Sequence, residues 1–187
     1  FICFYSENLT YYCVMIAALV GVLIPYFYYN VFGSAAKHKK IFMGDSGSLS
    51  LGFSLGFLAV KLCMDTPRIA YDPNRIVWGW SLLAVPCLDV VRVFFFRIIH
   101  GRSPFKADKN HIHHKLMACG LSQHQALVTI VVFQLLIIGA NIALTSIVSG
   151  TAILCIDIAM YLIFNLVTNL VANQKGTMIS EAHNIIK

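Results

Sequence analysis

The chain has 187 residues, of which 58% are hydrophobic and 12% are charged. This composition is too apolar for a soluble domain or a disordered chain, and it predicts an integral membrane protein. The formal net charge is +6, but the basic residues lie in short loops between apolar runs, without the aromatic-interleaved basic face typical of nucleic-acid binding. We therefore expect lipid headgroups and phosphorylated ligands as partners, and no nucleic acid.

Five apolar runs predict an all-α, polytopic transmembrane fold. They cover about residues 9–32, 48–64, 76–96, 126–147 and 152–172. A helix needs about 20 apolar residues to cross a hydrocarbon core of about 30 Å. The second run is short for a full span, so we expect it to tilt or to begin inside the functional site. The whole chain, residues 1–187, is interpreted as one membrane domain with two functional loops, residues 33–48 and 97–121.

The distribution of Lys and Arg predicts the orientation of these loops. If both loops and the C-terminal tail share one side of the membrane, that side carries Lys37, Lys39, Lys40, Arg92, Arg97, Arg102, Lys106, Lys109, Lys115, Lys175 and Lys187. The other side then carries only Lys61, Arg68 and Arg75. Because cytoplasmic loops are enriched in Lys and Arg, both functional loops are predicted to face the cytoplasm, with the N-terminus outside.

The first loop ends in a glycine-rich motif, Gly-Asp-Ser-Gly-Ser, at residues 44–48. Its glycines allow close backbone approach, Ser46 or Ser48 can cap a helix, and free N–H groups at a helix start favour a phosphate. The carboxylate of Asp45 would repel that phosphate unless a divalent cation lay between them. The motif therefore suggests Mg²⁺ or Mn²⁺ held partly by substrate oxygens. An ordinary helix cap with a turn is the alternative.

The second loop combines cations with imidazoles. Its cations and histidines are Arg97, Arg102, Lys106, Lys109 and Lys115 with His100, His111, His113 and His114, beside the single acid Asp108. A loop that only sets membrane orientation needs Lys and Arg, so the histidines require a separate explanation. Imidazoles among cations suit a diphosphate or a leaving phosphate, bound directly or through a metal. A zinc site is not expected, because no Cys or further His stands at ligand spacing.

The backbone of residues 111–114 decides which histidines share a side. An extended backbone places His111 and His113 together, whereas a helix aligns His111 with His114. The sequence leaves both arrangements open.

Two acids lie inside apolar runs. Asp89 is a functional candidate by its depth, and an internal ion pair with Arg92 is the alternative. Pro86, three residues earlier, is expected to bend the helix and to tilt Asp89 inward. Asp157 is interpreted as structural, with a polar partner among Asn141, Gln134 and Asn165.

Two separated motifs carry a resemblance to a known family. Residues 41–52, IFMGDSGSLSLG, are followed by Pro86, Asp89 and Arg92 and then by residues 101–122, GRSPFKADKNHIHHKLMACGLS. In this order they resemble the polyprenyl-phosphate N-acetylhexosamine-1-phosphate transferases, glycosyltransferase family 4. The Asp-x-x-His-x-His-His form of residues 108–114 resembles the branch that loads N-acetylglucosamine-type sugars for O-antigen, teichoic-acid or capsule pathways.

The resemblance implies a Mg²⁺-dependent enzyme of the bacterial plasma membrane. Such an enzyme transfers a sugar 1-phosphate from a UDP-sugar to undecaprenyl phosphate and releases UMP. Asp45 matches the family's metal-binding aspartate. His111, His113 and His114 match its catalytic histidine motif. The residues expected to bind substrate are Asn30, Phe42, Gly44, Ser46, Ser48, Asp89 and Arg102, with Asn30 and Phe42 on the nucleotide.

The chain departs from the family pattern in one respect. Neither an Asp-Asp-x-x-Asp motif nor an Asn-rich Asp-Gly motif occurs, although the family carries both earlier in its chain. We therefore expect the chain to be the C-terminal half of such a transferase. The alternatives are a catalytically incomplete scaffold or partner subunit, and a transporter with a histidine-rich cytoplasmic gate; a homodimer is left open.

Overall fold

The structure, a computed structural model, describes residues 4–5, 9–33, 39–64, 74–103 and 110–185, with the side chains of 175–185 left out. The predictions that involve Lys37, Arg68, Lys106, Asp108, Lys109 and Lys187 concern residues outside the described ranges. The described part contains six helices and no strand, which confirms the all-α polytopic membrane fold. The helices are α1 (Thr10–Phe32), α2 (Gly44–Cys63), α3 (Asn74–Ile99), α4 (Ile112–Ala118), α5 (Gln123–Leu144) and α6 (Gly150–Ile185).

Four of these helices have the length and composition of a membrane span. They are α1, α2, α5 and the segment Gly150–Gln174 of α6. Five spans were predicted, and α3 is the one that is not among the four. Its 26 residues are long enough to cross a bilayer, but its apolar residues alternate with Arg75, Asp89, Arg92 and Arg97. The described residues therefore support four spans, with α3 as a longer helix that also carries charge.

Helix α2 begins earlier than predicted. Gly44 is its first residue and has a φ of +66°, a conformation that glycine adopts without steric strain. The N-cap residue is Met43, which makes no side-chain cap. Since Ser46 and Ser48 lie inside the helix, the prediction that one of them caps it is wrong. The Oγ of Ser48 instead donates to the carbonyl of Asp45 at 3.0 Å.

The chain consists of two compact units, Phe1–Gly79 and Trp80–Lys187. In the first unit, Phe4, Cys13 of α1 and Leu58 of α2 form a buried apolar cluster. In the second unit, the core joins α3, α5 and α6 through Ala84, Val85, Leu88, Ile137 and Tyr161. Three helices of the second unit thus pack around one apolar core. Polar side chains form hydrogen bonds between these helices at two places.

One set of these inter-helix hydrogen bonds lies at the turn before Pro86. Proline has no N–H and its ring crowds the preceding turn, so the helical hydrogen bonds there are weakened. The side chain of Gln134 on α5 reaches this turn. Its Oε1 accepts from the N–H of Val85 at 3.2 Å, and its Nε2 donates to the carbonyl of Ser81. A single amide therefore serves both a donor and an acceptor of the α3 backbone, as a membrane interior requires.

The second set of inter-helix hydrogen bonds surrounds Asp157 on α6, whose side chain is fully buried. Its Oδ2 accepts from Nε1 of Trp80 at 2.8 Å and from Nδ2 of Asn141 at 2.9 Å. The same Nδ2 lies 2.8 Å from Oγ of Ser81. Of the three partners considered from sequence, Asn141 is therefore confirmed, and Asp157 links α3, α5 and α6.

Candidate active site

Three of the four histidines of the second loop, His111, His113 and His114, lie close together. His111 has an extended backbone, with φ −63° and ψ 152°, and α4 begins directly after it. The ring centroids of His111 and His113 are 6.0 Å apart and their planes differ by 12°. The rings of His113 and His114 are 4.1 Å apart at 39°. The change from extended to helical backbone therefore brings all three imidazoles together, which neither regular conformation does alone. We call these residues the histidine row.

Asp89 of α3 holds the start of α4. The backbone N–H of Ile112 donates to the two Asp89 oxygens at 3.2 and 3.4 Å. The first N–H groups of a helix have no partner within it, and the N-terminal end of the helix dipole favours a negative charge. Since the side chain of His111 makes no cap, a carboxylate from another helix takes that role.

The same carboxylate also binds His111. Its Oδ2 lies 2.8 Å from Nδ1 of His111, and its Oδ1 accepts from Nη2 of Arg92 and from the hydroxyl of Tyr161, each at 2.8 Å. The Nε of Arg92 donates to the same hydroxyl at 3.1 Å, and its Nη2 donates to the carbonyl of Asn110. The internal ion pair of Asp89 with Arg92 is thus observed. Asp89 is 6% exposed, and both its oxygens are engaged by the protein.

Apolar packing fixes the rest of α4. Ile112 and Leu116 are buried against Ala126 of α5 and Phe164 of α6. At the end of α4, Sγ of Cys119 donates to the carbonyl of Thr168 at 3.2 Å. With the acid at one end and this contact at the other, α4 presents the histidine row from a fixed support.

The protonation of His113 depends on its burial and on its neighbours. Partial desolvation lowers the pKa of His113, and the neighbouring imidazoles of His114 and His111 lower it further. Two adjacent imidazolium ions would repel each other. His113 is therefore neutral at neutral pH and offers one N–H donor and one acceptor.

Lys115 lies on α4 directly after His114 and is half-buried. Its Nζ donates to Oδ1 of Asn165 on α6 at 2.7 Å. Burial lowers the pKa of Lys115 to about 8, and the charge of Arg92 contributes in the same direction. The amine is thus a cation that can lose its proton in mildly alkaline solution.

The remaining candidates of the second unit and the first unit are more open. Arg102 is exposed after α3, where its N–H donates to the carbonyl of Arg97 at 2.8 Å. In the first unit, Nδ2 of Asn30 donates to the carbonyl of Ile41 at 2.8 Å. This bond joins the end of α1 to the segment that leads into α2. Phe42, next to Ile41, is 76% exposed, so its ring is open to a ligand.

The motif at the start of α2 presents Asp45 to solvent. Gly44, Ser46 and Ser48 are exposed with it in the first turns of the helix. Among the described residues, no group of three or more His, Cys, Asp or Glu side chains lies close enough to hold a metal ion. One exposed carboxylate nevertheless fits Mg²⁺, which binds few protein carboxylates and keeps several water or phosphate ligands. Asp45 can therefore supply one ligand of such an ion.

Sequence reasoning missed Tyr161, which contacts both Asp89 and Arg92. A signal for it exists on α6, where four polar residues recur at intervals of three or four residues between Asp157 and Thr168. These are Asp157, Tyr161, Asn165 and Thr168. Such spacing places side chains on one face of a helix, and polar residues of membrane helices face other helices rather than lipid. All four make hydrogen bonds in the structure.

Comparisons with known proteins agree with the motifs. Residues 1–63 match the family described as "Glycosyl transferase family 4". Three relatives carry the name undecaprenyl-phosphate alpha-N-acetylglucosaminyl 1-phosphate transferase. The protein of Pasteurella multocida (strain Pm70) is 33% identical over 113 residues, which are 60% of this chain and 30% of the relative. That of Salmonella typhi is 30% identical over 125 residues, 67% of this chain and 33% of the relative.

The third relative, from Escherichia coli (strain K12), is 33% identical over 113 residues, 60% of this chain and 29% of the relative. The chain thus spans about a third of the length of the curated relatives it matches. No solved structure matches. The family match and the named relatives together confirm the expected resemblance of this chain to glycosyl transferase family 4 and to its undecaprenyl-phosphate N-acetylglucosaminyl 1-phosphate transferases.

Proposed function

We propose that this protein transfers an N-acetylhexosamine 1-phosphate, such as N-acetylglucosamine 1-phosphate, from a UDP-sugar to undecaprenyl phosphate. The observation that carries the proposal is the histidine row, held by Asp89 at the start of α4. The relatives of this chain are named as undecaprenyl-phosphate N-acetylglucosaminyl 1-phosphate transferases, which supports the acceptor and the transferred group. The product is a lipid diphosphate sugar, and UMP leaves. A reaction of this kind initiates a cell-envelope polysaccharide such as O-antigen.

The histidine row suits the charge that this reaction develops. An oxygen of the lipid phosphate attacks the phosphorus that bears the sugar, and the bond from that phosphorus to the bridging oxygen of UMP breaks. Negative charge therefore grows on the bridging and equatorial oxygens. Imidazole N–H donors held in place beside those oxygens stabilise the transition state without reorganising. Arg102, an exposed cation in the same loop, is assigned to the anionic substrate.

Asp45 is the residue that would hold a divalent cation, Mg²⁺ or Mn²⁺. When bound, such an ion offsets the charge of the diphosphate and polarises its phosphoryl oxygens. Gly44, Ser46 and Ser48 surround Asp45 in the first turns of α2, where backbone N–H groups favour phosphate. Asn30 and Phe42 are assigned to the nucleotide, since a stacked aromatic ring and an amide are common partners of a base.

The proposed setting is the bacterial inner membrane, with both functional loops in the cytoplasm. The excess of Lys and Arg on the side of these loops supports that orientation. Nucleotide sugars are made in the cytoplasm, so a donor site on that side agrees with the chemistry. Cysteine labelling in intact cells tests it: a cysteine at position 113 should be protected from an impermeant reagent, and one at position 72 should react.

The test of function is UMP release by the protein expressed from its full coding sequence, with undecaprenyl phosphate and UDP-N-acetylglucosamine. We expect His114→Ala to lower the rate by about a hundredfold or more, the usual effect of removing one fixed donor. His100→Ala is the matched control, since the ring of this exposed histidine lies against Phe96, with 4.1 Å between the ring centroids, outside the row. A folded wild-type protein that releases no UMP with any UDP-N-acetylhexosamine would support the scaffold or transporter alternatives.

A further inference from the structure

We propose that His111 is the proton acceptor of the transfer reaction, because Asp89 holds it as the Nδ1–H tautomer, and that Tyr161 is a positioning residue that keeps Asp89 in place. This inference rests on the proposed function for its substrate. It assigns the three histidines different roles: His111 accepts a proton, whereas His113 and His114 remain donors.

The hydrogen-bond partners of Asp89 determine which nitrogen of His111 carries the proton. Arg92, the Tyr161 hydroxyl and the Ile112 N–H all donate to this carboxylate. A carboxylate among several donors acts only as an acceptor. The nitrogen that lies 2.8 Å from its Oδ2, Nδ1 of His111, must therefore be the donor. In the neutral ring the lone pair is then on Nε2.

The exposure of the two side chains agrees with an accessible Nε2 on His111. The side chain of Asp89 is 9% exposed, whereas that of His111 is 33% exposed. Because Nδ1 bonds a buried carboxylate, we place Nε2 in the exposed part of the His111 ring. The ring lies nearly parallel to that of His113, with 6.0 Å between the ring centroids, so one phosphate group can contact both imidazoles. A phosphate that contacts the row can therefore reach Nε2 of His111.

The arrangement supports one balanced proton transfer. The lipid phosphate monoester, in its singly ionised form, carries one O–H. As its oxygen bonds to the sugar-bearing phosphorus, the proton of that O–H passes to Nε2 of His111, and the electron pair of the breaking P–O bond leaves with UMP. The imidazolium that forms lies against the Asp89 carboxylate, which stabilises it as a buried aspartate stabilises a catalytic histidine in serine proteases. The proton is then released to solvent.

Tyr161 fixes the carboxylate from a third helix. Its side chain is 1% exposed, and its hydroxyl donates to Oδ1 of Asp89 and accepts from Nε of Arg92. With this hydroxyl and Arg92 holding Oδ1, Oδ2 is the oxygen that faces His111. Removal of the hydroxyl alone, with the ring retained, should loosen the carboxylate without opening a cavity.

The experiment is ¹⁵N NMR of histidine-labelled full-length protein in lipid nanodiscs, since nitrogen shifts distinguish the two tautomers. The signals of His111 are identified by their loss in His111→Gln. We expect the Nδ1–H tautomer in the wild type, a detectable Nε2–H population in Tyr161→Phe, and a mixture in Asp89→Asn, whose amide can present either an acceptor or a donor. His100→Gln, the control, should leave these signals unchanged.

Turnover provides the second readout. Tyr161→Phe should lower kcat by about tenfold with little change in KM, because one hydrogen bond typically contributes this much. Asp89→Asn should lower kcat by about 10⁴, as a wrong histidine tautomer does in a serine protease. A wild-type His111 in the Nε2–H form, or a Tyr161→Phe protein with an unaltered tautomer signal, would overturn the inference. The Nδ1–H form in a folded protein without UMP release would uphold the tautomer assignment and overturn the proposed function.

Discussion

The side-chain amide of Asn141 on α5 lies 2.9 Å from Oδ2 of Asp157 on α6, and the Oδ1 atoms of both residues are buried without a hydrogen-bond partner in the described part of the chain. Trp80 of α3 donates to the same Oδ2. The acid is therefore held from two other helices through one oxygen. One turn further along α6, Tyr161 contacts Asp89. The contacts of Asp157 therefore help to position α6, from which Tyr161 holds the Asp89 carboxylate under the histidine row.

Asn141→Ala should destabilise the protein by about 1–3 kcal/mol, because it leaves a buried carboxylate with one donor fewer. Thermal unfolding in detergent micelles measures the effect. Thr129→Ala is the matched control on α5, since the Thr129 hydroxyl only donates to the carbonyl of Gln125 at an exposed position; we expect a change within about 0.5 kcal/mol. Equal losses of stability in the two variants would show that the buried hydrogen bond stabilises the protein no more than the exposed one.

A double-mutant cycle tests the contact of Gln134 with the turn before Pro86. Gln134→Leu removes the partner of Val85 N–H and of the Ser81 carbonyl, and should destabilise the protein by about 1–3 kcal/mol. In a Pro86→Ala background the helix can satisfy both groups itself, so the same change should be less harmful. A coupling free energy of about 0.5 kcal/mol or more is expected between the two sites. Strict additivity would contradict this role of Gln134.

These interior contacts show what could be predicted from sequence and what could not. The apolar runs predicted the membrane-spanning parts of α1, α2, α5 and α6, because length and composition suffice for a membrane helix. Helix α6 continues to Ile185, beyond the end predicted at about residue 172. The start of α2 at Gly44 was missed. The glycine-rich motif predicts a turn, whereas the chain is helical directly after Gly44, which has a positive φ.

The support of the histidine row depends on partners far apart in sequence. Asp89 was singled out by its depth, but its contacts with Ile112 and Tyr161 arise only once three helices pack together. Ile112 lies 23 residues and Tyr161 lies 72 residues from Asp89 in the sequence, so no local sequence pattern indicates either contact. The polar face of α6 was the available signal, and it would have identified Tyr161 as a residue that faces another helix.

Lys115 gives the fold a distinct pH dependence. Its pKa of about 8 in the folded protein lies below its ordinary value of 10.5. Between these values the unfolded chain holds a proton that the folded protein has lost, so stability should rise with pH across this window and should not change below it on this account. Relative to Lys115→Met, the wild type should therefore gain thermal stability as the pH rises from about 8 to about 10.5. A difference that does not vary with pH would show that the amine is not desolvated.

Asp45→Asn should weaken the binding of a divalent cation and should lower Mg²⁺-dependent turnover by orders of magnitude. The change removes one charge but preserves the shape of the side chain, and Mg²⁺ binds few protein ligands, so the loss of one carboxylate matters greatly. Binding of Mn²⁺, followed by its paramagnetic signal in the presence of UDP-N-acetylglucosamine, is a readout that does not need turnover. Asp157→Asn is the control for a carboxylate inside the protein. Unchanged Mn²⁺ binding in Asp45→Asn would leave this acid without a metal.

His113→Arg separates a catalytic role of the row from a role in membrane orientation. Arg retains the positive character of the loop, so the orientation of the protein should persist. Activity should fall by about a hundredfold or more, because a donor at the imidazole position is lost and the planar guanidinium reaches further than the ring it replaces. Arg would also add a permanent charge beside His111 and His114, in a place where burial and those two neighbours lower the pKa of the wild-type imidazole. The two measurements are UMP release in detergent and impermeant-reagent labelling of a cysteine at position 72 in intact cells. Normal UMP release from this variant would show that positive charge alone suffices, and the row would then serve only as an orientation signal.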